Sequence, residues 1–191
     1  PIDCLITLTP INIVQAATDI IWSGVLSRFP DLRIALSEGG IGWIPYFLER
    51  IDYQYRQHHY WTGQDFGDRL PSEVFSDRVL TCFIDDRFGV RNRDAINMDN
   101  VMWECDYPHS DSTWPFSPEQ VAEHFDASVS DHDIDRITHL NAMKHFSFDP
   151  FATLGGRDNC TVGALRASAA GHDVAIRSVR PDLVGQHASR A

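Results

Sequence analysis

The sequence predicts an α/β fold on a short parallel sheet, read as the second half of a barrel. Three observations carry this. Apolar runs occur at Leu32–Glu38, Arg78–Ile84 and Val101–Cys105. Helix-patterned stretches separate them, and strands alternating with helices imply parallel pairing through right-handed crossovers. All three runs stop on acids: Glu38, Asp85-Asp86 and, just past Cys105, Asp106. Three parallel strands leave open edges and bare faces, so they read as part of a larger closed sheet.

The elements follow in order. Ile2–Thr7 reads as a strand remnant. Thr9-Pro10 opens a helix, with Thr as N-cap and Pro at the first helical position. Ile13, Ala16, Ala17, Ile20, Ile21, Gly24 and Val25 recur at three- and four-residue steps, giving one apolar face. Phe29-Pro30-Asp31 ends it. The first clear strand leads into Gly39-Gly40 and a helix from about Gly42 to His58. His59 to Phe75, aromatic and glycine-bearing, reads as an irregular packing or functional loop. The second strand precedes a short helix from Gly89 to Ile96. Asp99-Asn100 turns into the third strand. Helices are expected over Ser117–Phe125 and Asp131–Phe146.

Formal charge is −11 over 191 residues. That balance disfavours nucleic acid, whose phosphates would be repelled. After Pro150 there are five Arg against three Asp, so residues 1–150 carry −13. With the loss of large apolar residues, this places a domain over 1–150 and an irregular, flexible tail over 151–191, with one short helix near Cys160–Ala170. No apolar run approaches the roughly 20 residues of a membrane span. Cys4, Cys82, Cys105 and Cys160 lack paired spacing and read as reduced thiols of a cytoplasmic protein.

In a parallel barrel the carboxyl ends of the strands face one mouth, where Glu38, Asp85/Asp86 and Asp106 would converge. Clustered carboxylates repel one another unless a cation or proton sits among them. Asp85-Asp86 equally suits a cap for the helix that follows. Glu38 precedes a glycine pair, which lets backbone approach a ligand. His109, three residues past Asp106, reads as an acid/base group beside it or as a hydrogen-bonded loop residue. The other histidines, His124 among them, show no metal-type spacing, and no phosphate loop or nucleophile elbow occurs.

Three segments carry a resemblance: Phe29-Pro-Asp-Leu-Arg-Ile-Ala-Leu-Ser-Glu-Gly-Gly-Ile-Gly-Trp-Ile-Pro-Tyr-Phe-Leu-Glu-Arg50, Leu70-Pro-Ser-Glu-Val-Phe75 and Met102-Trp-Glu-Cys-Asp-Tyr-Pro-His-Ser-Asp-Ser-Thr-Trp-Pro115. With Asn141-Ala-Met-Lys-His-Phe146 they resemble the amidohydrolase-related proteins, the group of aminocarboxymuconate-semialdehyde decarboxylase. The resemblance spans about residues 9–151. It implies a distorted (β/α)8 TIM-type barrel, of which this chain is the C-terminal half, with a divalent metal, usually zinc, at its mouth. It makes Asp106 the metal-binding or proton-handling aspartate after the eighth strand. Glu38 falls where the decarboxylase members carry a catalytic histidine, a departure from their pattern. The family's other metal ligands, a His-x-His pair and a further His, lie on strands that would precede Pro1.

The expected catalytic residues are therefore Asp106, Glu38 and His109, with Asp106 as metal ligand. The expected function is metal-dependent hydrolysis of a small carboxylated or amide-like molecule. The alternatives are decarboxylation within the same superfamily, or a non-catalytic half-barrel. Exposed sheet edges would favour a homo-oligomer or pairing with an N-terminal half.

Overall fold

The computed structural model describes residues 1–173. The described chain forms two compact units, Pro1–Phe148 and one beginning at Asp149.

The first unit opens with α1 (Ile2–Trp22), which is helical through Pro10. The expected strand remnant at residues 2–7 is thus corrected. A strand must find a partner for its backbone, whereas a helix closes its bonds internally. Pro10 removes the bond that would reach Ile6 and crowds that carbonyl, and the Thr9 hydroxyl bonds back to the Leu5 carbonyl at 2.8 Å. Ala17 and Ile21 are buried, while Ile2, Leu5, Ile6, Leu8 and Ile11 are exposed. By length and composition alone α1 could cross a membrane, which corrects the reading that no run is long enough. Gly24, in the left-handed region at φ 71°, breaks α1 from α2 (Val25–Arg28).

Then come β1 (Ile34–Leu36), α3 (Ile44–Thr62), α4 (Pro71–Arg78) and β2 (Val79–Phe83). The expected loop over 59–75 is shorter, because α3 continues to a left-handed Gly63 and α4 starts at Pro71. Proline suits the first turn, where its missing N–H goes unneeded. After α5 (Arg87–Arg91) and two 3₁₀ turns comes β3 (Val101–Trp103).

The sheet is parallel in the order β1-β2-β3, pairing Leu36 with Thr81 and Thr81 with Val101. The central strand β2 is buried along its whole length, as a parallel strand covered on both faces should be. Its residues alternate between two layers. Val79 and Phe83 join the main core with Ile41, Ile44, Phe47, Val90 and Val101. Leu80 and Cys82 join Met102 on the opposite face. Burial pushes the Cys82 thiol up to about 12, so it packs as a neutral group.

The unit closes with α6 (Ser117–Ala122), α7 (Asp131–Asp135), a π-helical turn at Arg136–Leu140 and α8 (Asn141–His145). The last three form the expected helix over 131–146 with a π segment inside it. Asn141, buried, donates to the carbonyls of Met98 at 2.7 Å and Val101 at 2.8 Å, fastening this helix to β3.

The second unit holds α9 (Pro150–Leu154), capped by the Asp149 carboxylate, and α10 (Val162–Ser168), capped by the Thr161 hydroxyl. The short helix expected near Cys160–Ala170 is α10. The expected irregular tail is ordered up to residue 173 in this way, and its remainder, 174–191, lies outside the described residues.

Candidate active site at the strand ends

The parallel sheet delivers the ends of β1, β2 and β3 to one side. Glu38 lies two residues past β1, and Asp106 three past β3. Both turn sharply there, at φ 61° for Glu38 and 54° for Asp106. L residues seldom adopt this left-handed conformation, and it costs about 1–3 kcal/mol where it occurs. Its effect here is to turn both side chains out of the strand path.

Ligand atoms of Glu38, Asp106 and His109 all lie within 4.8 Å of one another. The Asp106 carboxylate is 9% exposed and bonds His109 Nδ1 at 2.7 Å, while His109 itself is 68% exposed. The His109 N–H also donates to the Asp106 carbonyl at 2.9 Å, so a tight turn sets the pair. Asp106 holds the His109 imidazolium above the ordinary imidazole range, first through the hydrogen bond and then through charge. The loop beyond is pinned by Thr113, whose N–H donates to Cys105 O at 3.1 Å and whose hydroxyl meets Ser117 Oγ at 2.9 Å. The bonds Tyr107-Pro108 and Trp114-Pro115 are cis.

The remaining acids divide. Asp86 is structural. Its Oδ2 accepts the N–H groups of Ile41 at 2.7 Å and Gly42 at 2.6 Å, and its Oδ1 that of Gly89 at 2.7 Å. It therefore caps α5 and holds the glycine loop after Glu38. Gly89 permits this, since a Cβ there would strike the Ile41 side chain and come 2.8 Å from Gly42 N. Asp85 points to buried His124, whose Nε2 lies 2.8 Å from Asp85 Oδ1 and 3.1 Å from Asp86 N.

Glu38, Asp85, Asp106 and Asp111 line a cavity of about 580 Å³, with Pro10 and Ile13 of α1 on its apolar side. Among the described residues that line it, none is basic. The three residues expected at the site thus converge, and Asp85 borders the same space.

Two participants were missed. His124 carried no spacing signal. Glu104 did carry one, because acids two apart at a strand end share a face. Its Oε1 accepts the Glu38 N–H at 2.6 Å. Burial, with Glu38 and Asp106 close by, raises its carboxyl above the usual carboxylate range despite that bond.

A divalent cation suits this donor set. Two carboxylates and one imidazole are oxygen and nitrogen ligands of the kind that first-row divalent ions accept, and clustered acids are relieved by positive charge.

The family model described as amidohydrolase matches residues 7–148. Among solved structures, the 5-carboxyvanillate decarboxylase of Sphingomonas paucimobilis matches at 24% identity and TM-score 0.61, covering 73% of this chain and 41% of that one. An amidohydrolase of Mycobacterium avium subsp. paratuberculosis K-10 matches at 21% and 0.59, covering 73% and 34%. A dihydroxybenzoic acid decarboxylase of Polaromonas sp. JS666, solved with manganese and 2-nitroresorcinol, matches at 19% and 0.54, covering 70% and 39%. This chain thus spans well under half the length of each. No curated protein matches. These matches share the parallel sheet and helices described above, and the family model spans nearly the whole first unit; this chain belongs to the amidohydrolase family.

Proposed function

We propose that this chain forms part of a metal-dependent carboxy-lyase acting on a small aromatic carboxylate. The observation that carries the reading is the convergence of Glu38, Asp106 and His109 within 4.8 Å at the strand ends. The cavity beside them supports it. An aromatic acid entering a space lined by carboxylates, with no basic side chain among its described lining residues, is repelled unless a divalent cation intervenes. Hydrolysis, the first expectation from sequence, takes second place, because two of the three structural relatives above are decarboxylases by name.

Glu38, Asp106 and His109 would hold the ion. Manganese and zinc both suit the donors, and the manganese in a relative favours the former. When bound, the ion supplies a Lewis acid that offsets the substrate's negative charge. The protein's own groups manage the proton. Loss of carbon dioxide breaks a ring-carbon to carboxyl-carbon bond, and the ring carbon takes up one proton. Asp106, largely shielded from water, is placed to hold that proton, and exposed His109, bonded to it, connects it to solvent. Ile13 and Pro10 give an apolar wall for the ring.

In this reading residues 1–150 are the C-terminal half of a distorted (β/α)8 barrel. An N-terminal half, or a second copy, would cover the open sheet edges; the short span relative to the matched structures favours the former. The four unpaired thiols fit a cytoplasmic setting.

The test is carbon dioxide release from hydroxylated benzoates with Mn²⁺ added, by the chain alone and with the upstream portion of a relative supplied in trans. Asp106→Asn should lower the rate about 10²–10⁴-fold, the usual weight of a positioned acid/base. Amide hydrolysis without carbon dioxide release would favour the hydrolase instead.

A further inference from the structure

Glu104 ties together two strands that are not neighbours. Its N–H donates to Phe83 O at 3.0 Å, extending the β2–β3 ladder by one residue. Its side chain then passes the end of β2, and Oε1 accepts the Glu38 N–H at 2.6 Å, just beyond β1. Since β1 and β3 flank β2, this bond spans the width of the described sheet. It lands on Glu38, a residue at φ 61° whose conformation requires support from its surroundings. The Glu104 carboxylate gives that support by accepting from the amide. Glu104 stands half-buried near Glu38 and Asp106, where a neutral acceptor would avoid the repulsion.

We propose that Glu104 is a positioning residue: by holding the Glu38 backbone it keeps the Glu38 carboxylate beside Asp106 and His109 for a divalent cation. This rests on the proposed cation site. Glu104 acts through Glu38, so an uncharged acceptor of the same shape should serve nearly as well, and a side chain with no acceptor should not.

Two measurements on the full chain test this: hydrogen exchange of the Glu38 amide by NMR, without metal, and Mn²⁺ affinity by calorimetry. In Glu104→Leu the Glu38 amide should lose protection and the Mn²⁺ Kd should rise about 10–100-fold, the usual effect of losing a partner that orients a ligand. Glu104→Gln should keep the protection and stay within about threefold of the parent Kd, as expected where the acceptor survives. Should Glu104→Leu fail to fold, Glu104→Ala replaces it. Unchanged exchange and affinity in the Leu or Ala variant overturn the proposal. Equal weakening in Leu and Gln variants also overturns it, because charge rather than positioning then matters. A parent that binds no Mn²⁺ refutes the cation site instead. Glu104 is then judged on the amide alone: loss of protection in Glu104→Leu supports positioning, and retained protection refutes it.

Discussion

His109 Nδ1 lies 2.7 Å from Asp106 Oδ1, a bond between a nearly enclosed carboxylate and an imidazole open to water. The proton on this imidazole is therefore held by the carboxylate more firmly than solvent alone would hold it.

NMR titration should place His109 above the ordinary imidazole value of 6.5. Because the folded value is raised, the pair contributes fully below that ordinary value and fades as pH rises through the raised one. Asp106→Asn removes the charge and leaves a weaker, neutral acceptor, and should shift His109 back toward 6.5. A parent His109 titrating at or below 6.5 would contradict the pairing.

Divalent cation should stabilise the fold. At a free concentration of 100 times Kd, binding to the folded state alone adds about 2.7 kcal/mol. For a chain of this size that raises Tm by roughly 5–10 °C. Thermal unfolding with and without Mn²⁺ should show the shift in the parent and lose most of it in Asp106→Asn.

Asp86→Ala should cost about 3 kcal/mol in urea unfolding, since three backbone N–H groups lose a charged acceptor. Asp86→Asn should cost less, because its carbonyl oxygen can still accept. A loss below about 0.5 kcal/mol, the level of an ordinary surface change, would mean that water replaces the carboxylate freely.

Asn141→Ala strands the carbonyls of Met98 and Val101 in a buried setting. The expected cost is about 2–3 kcal/mol. Asn141→Asp, equal in shape but without the donors, should be no better, and a near-neutral Asp variant would disprove the donor role.

The strands were readable because β2 and its neighbours are short apolar runs closed by acids, and the π turn aside, the final helix followed its periodicity. Where local signals competed, reading failed. Thr9-Pro10 looks like a helix start, yet α1 begins at Ile2, because a helix closes its remaining backbone bonds internally on both sides of Pro10. Aromatic, glycine-bearing sequence hid α4, whose start is marked by Pro71 and by Glu73, which accepts the Leu70 N–H at 2.7 Å.

Glu38, Asp106 and His109 could be named from sequence because parallel pairing sends every strand's carboxyl end to the same side. Tertiary structure decided the rest. Asp85 and Asp86 are adjacent and chemically alike, yet one borders the cavity and the other holds three backbone N–H groups. The spacing of Glu104 from Asp106 is visible in the chain, but only the fold brings its carboxylate to 2.6 Å from the Glu38 amide, 66 positions away. Pattern along a chain encodes which face a residue takes, because that follows from local backbone geometry. Which partner it meets follows only from how the strands are laid side by side.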